Sequence, residues 1–360
     1  MNSTGHILRL TTFGESHGYA VGGVLDGFPA GFVLDMSFIQ DYLDRRKPGQ
    51  SKLTTQRNES DQVQIISGIF ENTSTGAPIT FLILNKDQQK NDYDELKEVF
   101  RPSHADFTYL KKYGLRDHFG GGRSSARETA VRVAAGALAM DWINSLGIEI
   151  FAYVKQVHRI SVPIPYQELD LNAIYDSDIR CPHPDTEAEM IAFVEKMRLQ
   201  GDSCGGIIEI VIKNVPVGLG SPVYAKLSAD LGAAMLSINA VKGVELGSGF
   251  DSVLKTGSEL NDLFFSDEMG NIKTKTNNSG GIQGGISNGE DIVFRIAFKP
   301  TATISKSQET VNTDGESIHL QAKGRHDPCV LPRAVPIVET MAALVIADHI
   351  LMQRTTKSIM

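Results

Sequence analysis

The sequence predicts an α+β fold in which antiparallel sheet packs on long helices. Two observations carry this expectation. Strand-like runs at 63–66, 79–84, 148–157, 207–215 and 292–298, several alternating apolar and polar side chains, are mixed with helices and not followed by them one for one. Three helical segments carry apolar residues at 3.6-residue spacing together with start or stop signals. A regular βαβ series would alternate instead, so a parallel sheet is disfavoured.

Each helix has its own signals. Asp35 caps a short helix with Phe38, Ile39, Tyr42 and Leu43 on one face, ending before Pro48-Gly49. Ser125 with Glu128 three residues on forms a capping box; Ala130, Val133, Ala134, Ala137, Leu138 and Trp142 follow at helical spacing until Gly147. Ser221-Pro222 opens a second long helix with Leu227, Leu231, Met235 and Ile238 inward and Gly243 just beyond its end. A third runs over roughly 335–352. No linker rich in Pro, Gly or Ser divides the chain, so 1–360 reads as one domain. Gly205-Gly206 and Gly284-Gly285, each before a strand and then a proline, hint at duplication, and 271–289 reads as a long loop near a ligand or subunit contact.

At 41% hydrophobic and 22% charged residues, the 360-residue chain buries a large core and is globular. No apolar run approaches membrane-spanning length, and the start lacks an export-signal pattern, so a cytoplasmic location without a membrane partner is expected. Cys181, Cys204 and Cys329 show no paired metal-ligand spacing and read as buried thiols; no metal site is suggested. A net charge of −8 argues against nucleic acid. Yet Arg45, Arg46, Lys47, Lys52 and Arg57 cluster in one segment, and Arg101, Lys111, Lys112, Arg116, Arg123, Arg127 and Arg132 in another. Basic clusters inside an acidic chain suit a small polyanionic metabolite.

The most informative segment is Gly120-Gly121-Gly122-Arg123-Ser124-Ser125-Ala126-Arg127-Glu128, a glycine-rich loop running into a helix start. Helix-start N–H groups lack intrahelical partners and favour anions, and two crowded guanidinium groups repel unless an anion joins them. His17 stands in Thr12-Phe13-Gly14-Glu15-Ser16-His17-Gly18, on a loop after the first strand. An imidazole of ordinary pKa near ~6.5 can give a proton to a leaving oxygen, and a cationic cleft lowers that value. Ser16 and His17 do not read as nucleophile and base, because adjacent residues do not readily make that hydrogen bond. His104 lies in Arg101-Pro102-Ser103-His104-Ala105-Asp106, and Asp327 in Gly324-Arg325-His326-Asp327-Pro328. Asn239-Ala240 and Lys299-Pro300-Thr301-Ala302-Thr303 add donors of the kind that hold a phosphate or a planar heterocycle. There is neither a Walker loop nor a dinucleotide fingerprint.

Together these segments resemble the chorismate synthase family: 14–18, 44–49, Thr54-Thr55-Gln56-Arg57, 101–106, 120–129 and 324–328 look like its motifs, in its order. The resemblance implies a β-α-β sandwich with long central helices between antiparallel sheets, a homotetramer, and a reduced FMN cofactor, with NADPH as an external or intrinsic reductant. It implies a 1,4-anti elimination of phosphate from 5-enolpyruvylshikimate 3-phosphate, giving chorismate without net redox change. By similarity His17 protonates or hydrogen-bonds the leaving phosphate, His104 sits near flavin N1, and Asp327 lies near N5. Ser16, Arg46, Lys52, Arg101, Arg127 and Arg325 are implied on the substrate side. Arg123, Ser124, Ser125, Asn239, Ala240, Gly284, Lys299, Pro300, Thr301, Ala302, Thr303 and Arg325 are implied against FMN. Two positions depart from the family's usual residues: Ser103 replaces a glycine, and Lys52 an arginine, losing bidentate geometry. The competing expectations are a net redox flavoprotein that consumes NADPH, and a flavin-binding relative without turnover.

Overall fold

The computed structural model describes residues 1–49, 60–86, 97–118, 121–322 and 327–356. One five-stranded sheet contains β1 (Ser3–Thr4), β2 (Arg9–Gly14), β3 (Ala20–Asp26), β4 (Val63–Ser67) and β5 (Ile79–Leu84) in the order β1-β2-β3-β5-β4. A second contains β6 (Glu149–Val157), β7 (Ile160–Ser161), β8 (Gly206–Lys213), β9 (Val241–Leu246) and β10 (Ile292–Phe298) in the order β9-β10-β8-β6-β7. Every neighbouring pair in both sheets is antiparallel. The helices are α1 (Met36–Arg46), α2 (Asp106–Tyr113), α3 (Thr129–Asn144), α4 (Pro184–Leu199), α5 (Leu227–Leu236) and α6 (Leu331–Thr356).

The central layer is the pair α3 and α6. α3 packs on β2, β3 and β5, α6 packs on β6 and β8, and the two helices pack on each other. This is the β-α-β sandwich expected. Its position explains why α3 is buried nearly all round, including Val131, Ala135 and Ala139, where sequence spacing marked a single face. At Gly136 the helices approach so closely that a Cβ would sit 2.4 Å from the Thr340 carbonyl oxygen.

Several boundaries differ from expectation for identifiable reasons. Asp35 does cap α1, accepting from the N–H groups of Ser37 and Phe38. At α3 the reciprocal capping box is replaced: Ser125 caps a short 3-10 turn through the Arg127 N–H, and Glu128 pairs with Arg132 at 2.7 Å. The second long helix starts at Leu227, not Ser221, because Ala225 adopts φ +53°, outside helical space. Ile238 therefore falls past its end, though buried, and Gly243 lies inside β9. α6 extends four residues earlier and four later than expected, absorbing Pro336 within its length. Contrary to the sequence expectation, α6 is long and apolar enough to cross a membrane by length and composition; in the fold most of it is buried as the core helix.

Residues 271–289 are not one open loop. Strands 264–266 with 272–274, and 282–283 with 286–287, form two hairpins, and Gly284 and Gly285 make the second turn. Gly206, by contrast, is inside β8, so the two glycine pairs are not structural equivalents. The three cysteines are buried.

Candidate active site

The site is assembled at the ends of the central helices from five segments. β2 ends at Gly14 and the chain turns before β3, closed by the Gly18 N–H on the Glu15 carbonyl at 3.1 Å. The turn is tight enough that Ser16 Oγ lies 3.1 Å from His17 Nδ1, so the adjacent side chains do meet, contrary to the sequence argument. Asn85, just past β5, straps this turn by donating from Nδ2 to the carbonyls of Glu15 (3.0 Å) and Gly18 (2.8 Å).

The second segment is 101–106. Asp106 accepts from Arg101 Nε at 2.8 Å, faces His104 Nδ1 at 2.9 Å and pairs with Arg116 at 3.3 Å. Burial opposes ionisation of Asp106, but the hydrogen bonds from Arg101 and His104 outweigh it and hold the carboxyl well below the usual carboxylate range. His104 Nδ1 is thus engaged by protein, and Nε2 is the ring nitrogen these contacts do not use. Its Cε1 lies 3.6 Å from where a Cβ on Gly121 would stand, which puts His104 against the glycine-rich loop.

In that third segment Ser124 Oγ donates to the Gly121 carbonyl at 2.6 Å, and Arg123 reaches back to Thr12 Oγ1 at 2.7 Å and the Gly14 carbonyl at 3.3 Å. The fourth segment joins here. Asn239 Nδ2 donates to the Ser124 carbonyl at 3.1 Å, the Lys299 N–H donates to the Ala240 carbonyl at 2.9 Å, and Lys299 Nζ donates to the Ser103 carbonyl at 2.7 Å. Ala240 is held at φ +69°, a left-handed conformation that a non-glycine residue keeps only where its surroundings impose it. Asn239 Oδ1 is buried with no hydrogen-bond partner among the described residues, an acceptor suited to an N–H on a ligand. Pro300, Ala302 and Thr303 continue this loop, and Thr301 Oγ1 donates to the Asp327 carbonyl at 2.8 Å. Asp327, in the fifth segment, is ion-paired with Arg333 of α6.

Arg46 and Arg127 behave differently from expectation. Both guanidinium groups converge on Asp61, a fully buried carboxylate: Arg46 at 3.0 Å, and Arg127 in a close ion pair. Asp61 thus joins Arg127 to Arg46, whereas Arg123, the arginine expected to share an anion with Arg127, donates to Thr12 Oγ1 and the Gly14 carbonyl instead. Arg46 also donates to the Ala126 carbonyl at 2.7 Å and Thr129 Oγ1 at 3.1 Å. Burial pushes its pKa down to about 10, with Asp61 opposing that shift. Burial likewise disfavours the charge on Asp61, but the two arginines outweigh it and lower its pKa. Arg333 Nε donates to the Arg46 carbonyl at 3.3 Å, and Arg127 Nε donates to Asn85 Oδ1 at 2.8 Å. A continuous chain of contacts thus runs Asp327, Arg333, Arg46, Asp61, Arg127, Asn85 to the His17 turn.

The fold brings together His17, Ser16, His104, Arg101, Arg123, Ser124, Ser125, Arg127, Arg46, Asn239, Ala240, the 299–303 loop and Asp327. Gly284 is not among them. It lies beside the start of α5, where the Leu227 N–H meets the Gly285 carbonyl, whereas Asn239 follows the end of that helix, about 15 Å away along ten residues. Lys52 and Arg325 lie outside the described residues. Sequence reasoning missed Asp61, Asn85 and Arg333, whose significance comes from contacts spanning tens to hundreds of residues. A cavity of about 460 Å³ between the N-terminal segment, α5 and α6 shares Thr12 and Arg123 with this cluster, but not His17, His104, Asn239, Lys299 or Asp327.

The chain matches the family model described as chorismate synthase over residues 8–351. It is 58% identical to a protein named chorismate synthase from Parabacteroides distasonis, over 99% of this chain and 100% of that one. It is 55% identical to another of that name from Prochlorococcus marinus, covering 98% and 97%. Its fold is similar to a solved structure titled "Crystal Structure of Chorismate Synthase", with a TM-score of 0.79 at 30% identity, covering 97% of this chain and 93% of that one. By the family model and these relatives, the chain belongs to the chorismate synthase family.

Proposed function

We propose that this lyase of chorismate biosynthesis removes phosphate from 5-enolpyruvylshikimate 3-phosphate in the cluster just described, with reduced FMN bound there. The residues suit the cofactor: Asn239 Oδ1 is a buried acceptor needing an N–H, and Lys299 and Arg123 supply positive charge beside it. Asn239, Ala240, Ser124, Ser125 and 299–303 would hold it. Reduced FMN held there would supply transient electron donation to the allylic system with no net oxidation. His104, fixed through Nδ1 by Asp106, would support negative charge on a bound flavin. His17, whose Nδ1 faces Ser16 Oγ, delivers the proton to the departing phosphate oxygen. Asp327, oriented by Arg333, manages the proton near the flavin. Arg101 and Arg127 supply the positive field for a substrate with two carboxylates and a phosphate, while Arg46 acts through Asp61.

The observation that carries this reading is the convergence of His17, His104 and Asp327 from three distant segments. His17→Ala should lower turnover at least ~100-fold, the usual scale for a lost positioned acid, while FMN affinity by fluorescence titration stays unchanged. Turnover like wild type would remove His17 from the mechanism. NADPH enters as a reductant of the flavin and not as a stoichiometric reactant. A homotetramer fits the exposed apolar side chains of Phe250, Leu254, Phe264, Met269 and Ile272, which partner subunits would cover. Sedimentation as a monomer at micromolar concentration would contradict that assembly.

A further inference from the structure

We propose that Asn85 is a positioning residue for the reaction, holding His17 in place by clamping both ends of its turn and tying that turn to Arg127. The carboxamide uses both of its functions. Nδ2 donates to the Glu15 carbonyl at 3.0 Å and the Gly18 carbonyl at 2.8 Å, the residues that bracket Ser16 and His17. Oδ1 accepts from Arg127 Nε at 2.8 Å. The orientation of the amide is fixed by its partners, since a carbonyl can only accept and a guanidinium can only donate. The Asn85 N–H adds a bond to the Tyr19 carbonyl at 3.1 Å, which anchors the residue at the end of β5.

No other short side chain reproduces this. Aspartate has no donor when ionised and would set a charge against two carbonyl oxygens; serine has one donor where two are used. Asn85 is itself held through Arg127, which also pairs with the buried Asp61 carboxylate shared with Arg46 and donates to the Leu84 carbonyl at 3.4 Å. Losing the clamp frees the turn, and a reacting group displaced by about 1 Å can cost on the order of 100-fold in rate.

This inference rests on His17 being the proton donor, so its test is a double-mutant cycle on kcat. Phosphate release is measured anaerobically with reduced FMN for wild type, Asn85→Ala, His17→Ala and the double variant, with wild type also assayed across pH. Asn85→Ala should lose roughly 10- to 100-fold in kcat and much less in KM. Adding it to His17→Ala should cost less than twofold more, because a residue acting through His17 has nothing left to position. The same fold loss in both backgrounds, or Asn85→Ala within twofold of wild type, overturns the proposal. If His17→Ala itself turns over like wild type, the proton-donor reading falls and this inference with it; an impaired His17→Ala beside an unaffected Asn85→Ala removes only Asn85. Should Asn85→Ala not fold, Asn85→Ser is judged by the same cycle.

Discussion

At Ser103 the backbone takes φ +56°, the left-handed region where the resembled family usually carries glycine. The departure noted in the sequence is thus a strained residue, and its carbonyl is nevertheless correctly placed to take Lys299 Nζ. Relief of left-handed strain exceeds the added unfolded-chain entropy of glycine by a small margin, so Ser103→Gly should stabilise the protein by about 0.5 kcal/mol. A denaturant titration reads this, and a destabilised variant would show that the Ser103 side chain does something further. The same scale explains what the sequence left hidden. Arg46 and Arg127 were legible as basic residues near an anion, but the anion was Asp61, 66 residues from Arg127, and no local pattern names such a partner. Ser16 and His17 were judged unable to meet on general grounds, and the specific turn geometry decided otherwise.

Among the elements, the strands were the most legible: two of the five expected runs match β5 and β10 end to end, because alternation over a half-buried sheet leaves a clear period. α5 was misjudged by six residues because a Ser-Pro start signal was followed by a left-handed alanine that no propensity anticipates. α6 begins four residues before its expected start and takes in Pro332, a proline tolerated in a first helical turn. The close approach of α3 to α6 at Gly136 was not legible at all, since it depends on a partner 204 residues away in sequence, Thr340. A Cβ there meets fixed backbone, so Gly136→Ala should destabilise by about 1–3 kcal/mol, the usual scale of overpacking. Thermal melting checks it; an unchanged melting temperature would mean the two helices can part without cost.

For the molecule as a whole, one buried acid inside the sandwich sets a pH dependence. Glu339 of α6 accepts from the Ala152 N–H at 3.0 Å and from the Tyr175 hydroxyl, and burial raises its pKa from the ordinary 4.5 to about 7. Between those values the folded protein binds a proton that the unfolded chain releases. Stability contributed by the protonated group is therefore complete below about pH 4.5 and is lost as pH rises toward 7, at a slope no steeper than about 1.4 kcal/mol per unit. Asp61 and Asp106 have the opposite sign, and their lowered values put that loss below the ordinary carboxylate range, outside this window. Glu339→Gln should flatten the stability curve between pH 5 and 7; a slope equal to wild type would show that another group titrates there. The α+β class was readable from sequence, because a sheet's period and a helix's period are local, whereas the sandwich and the roles of the site's segments came with the family resemblance. The meeting of those segments at one place was not readable, because it depends on the antiparallel pairing of two sheets around α3 and α6.

The central claim is that His17, His104 and Asp327 work around a reduced flavin that is not consumed. An anaerobic assay with 5-enolpyruvylshikimate 3-phosphate and chemically reduced FMN, with and without NADPH, tests it most directly. The account predicts many phosphates released per flavin, a flavin still reduced at the end, and no NADPH used in proportion to product. One flavin or one NADPH oxidised for each phosphate released would contradict it.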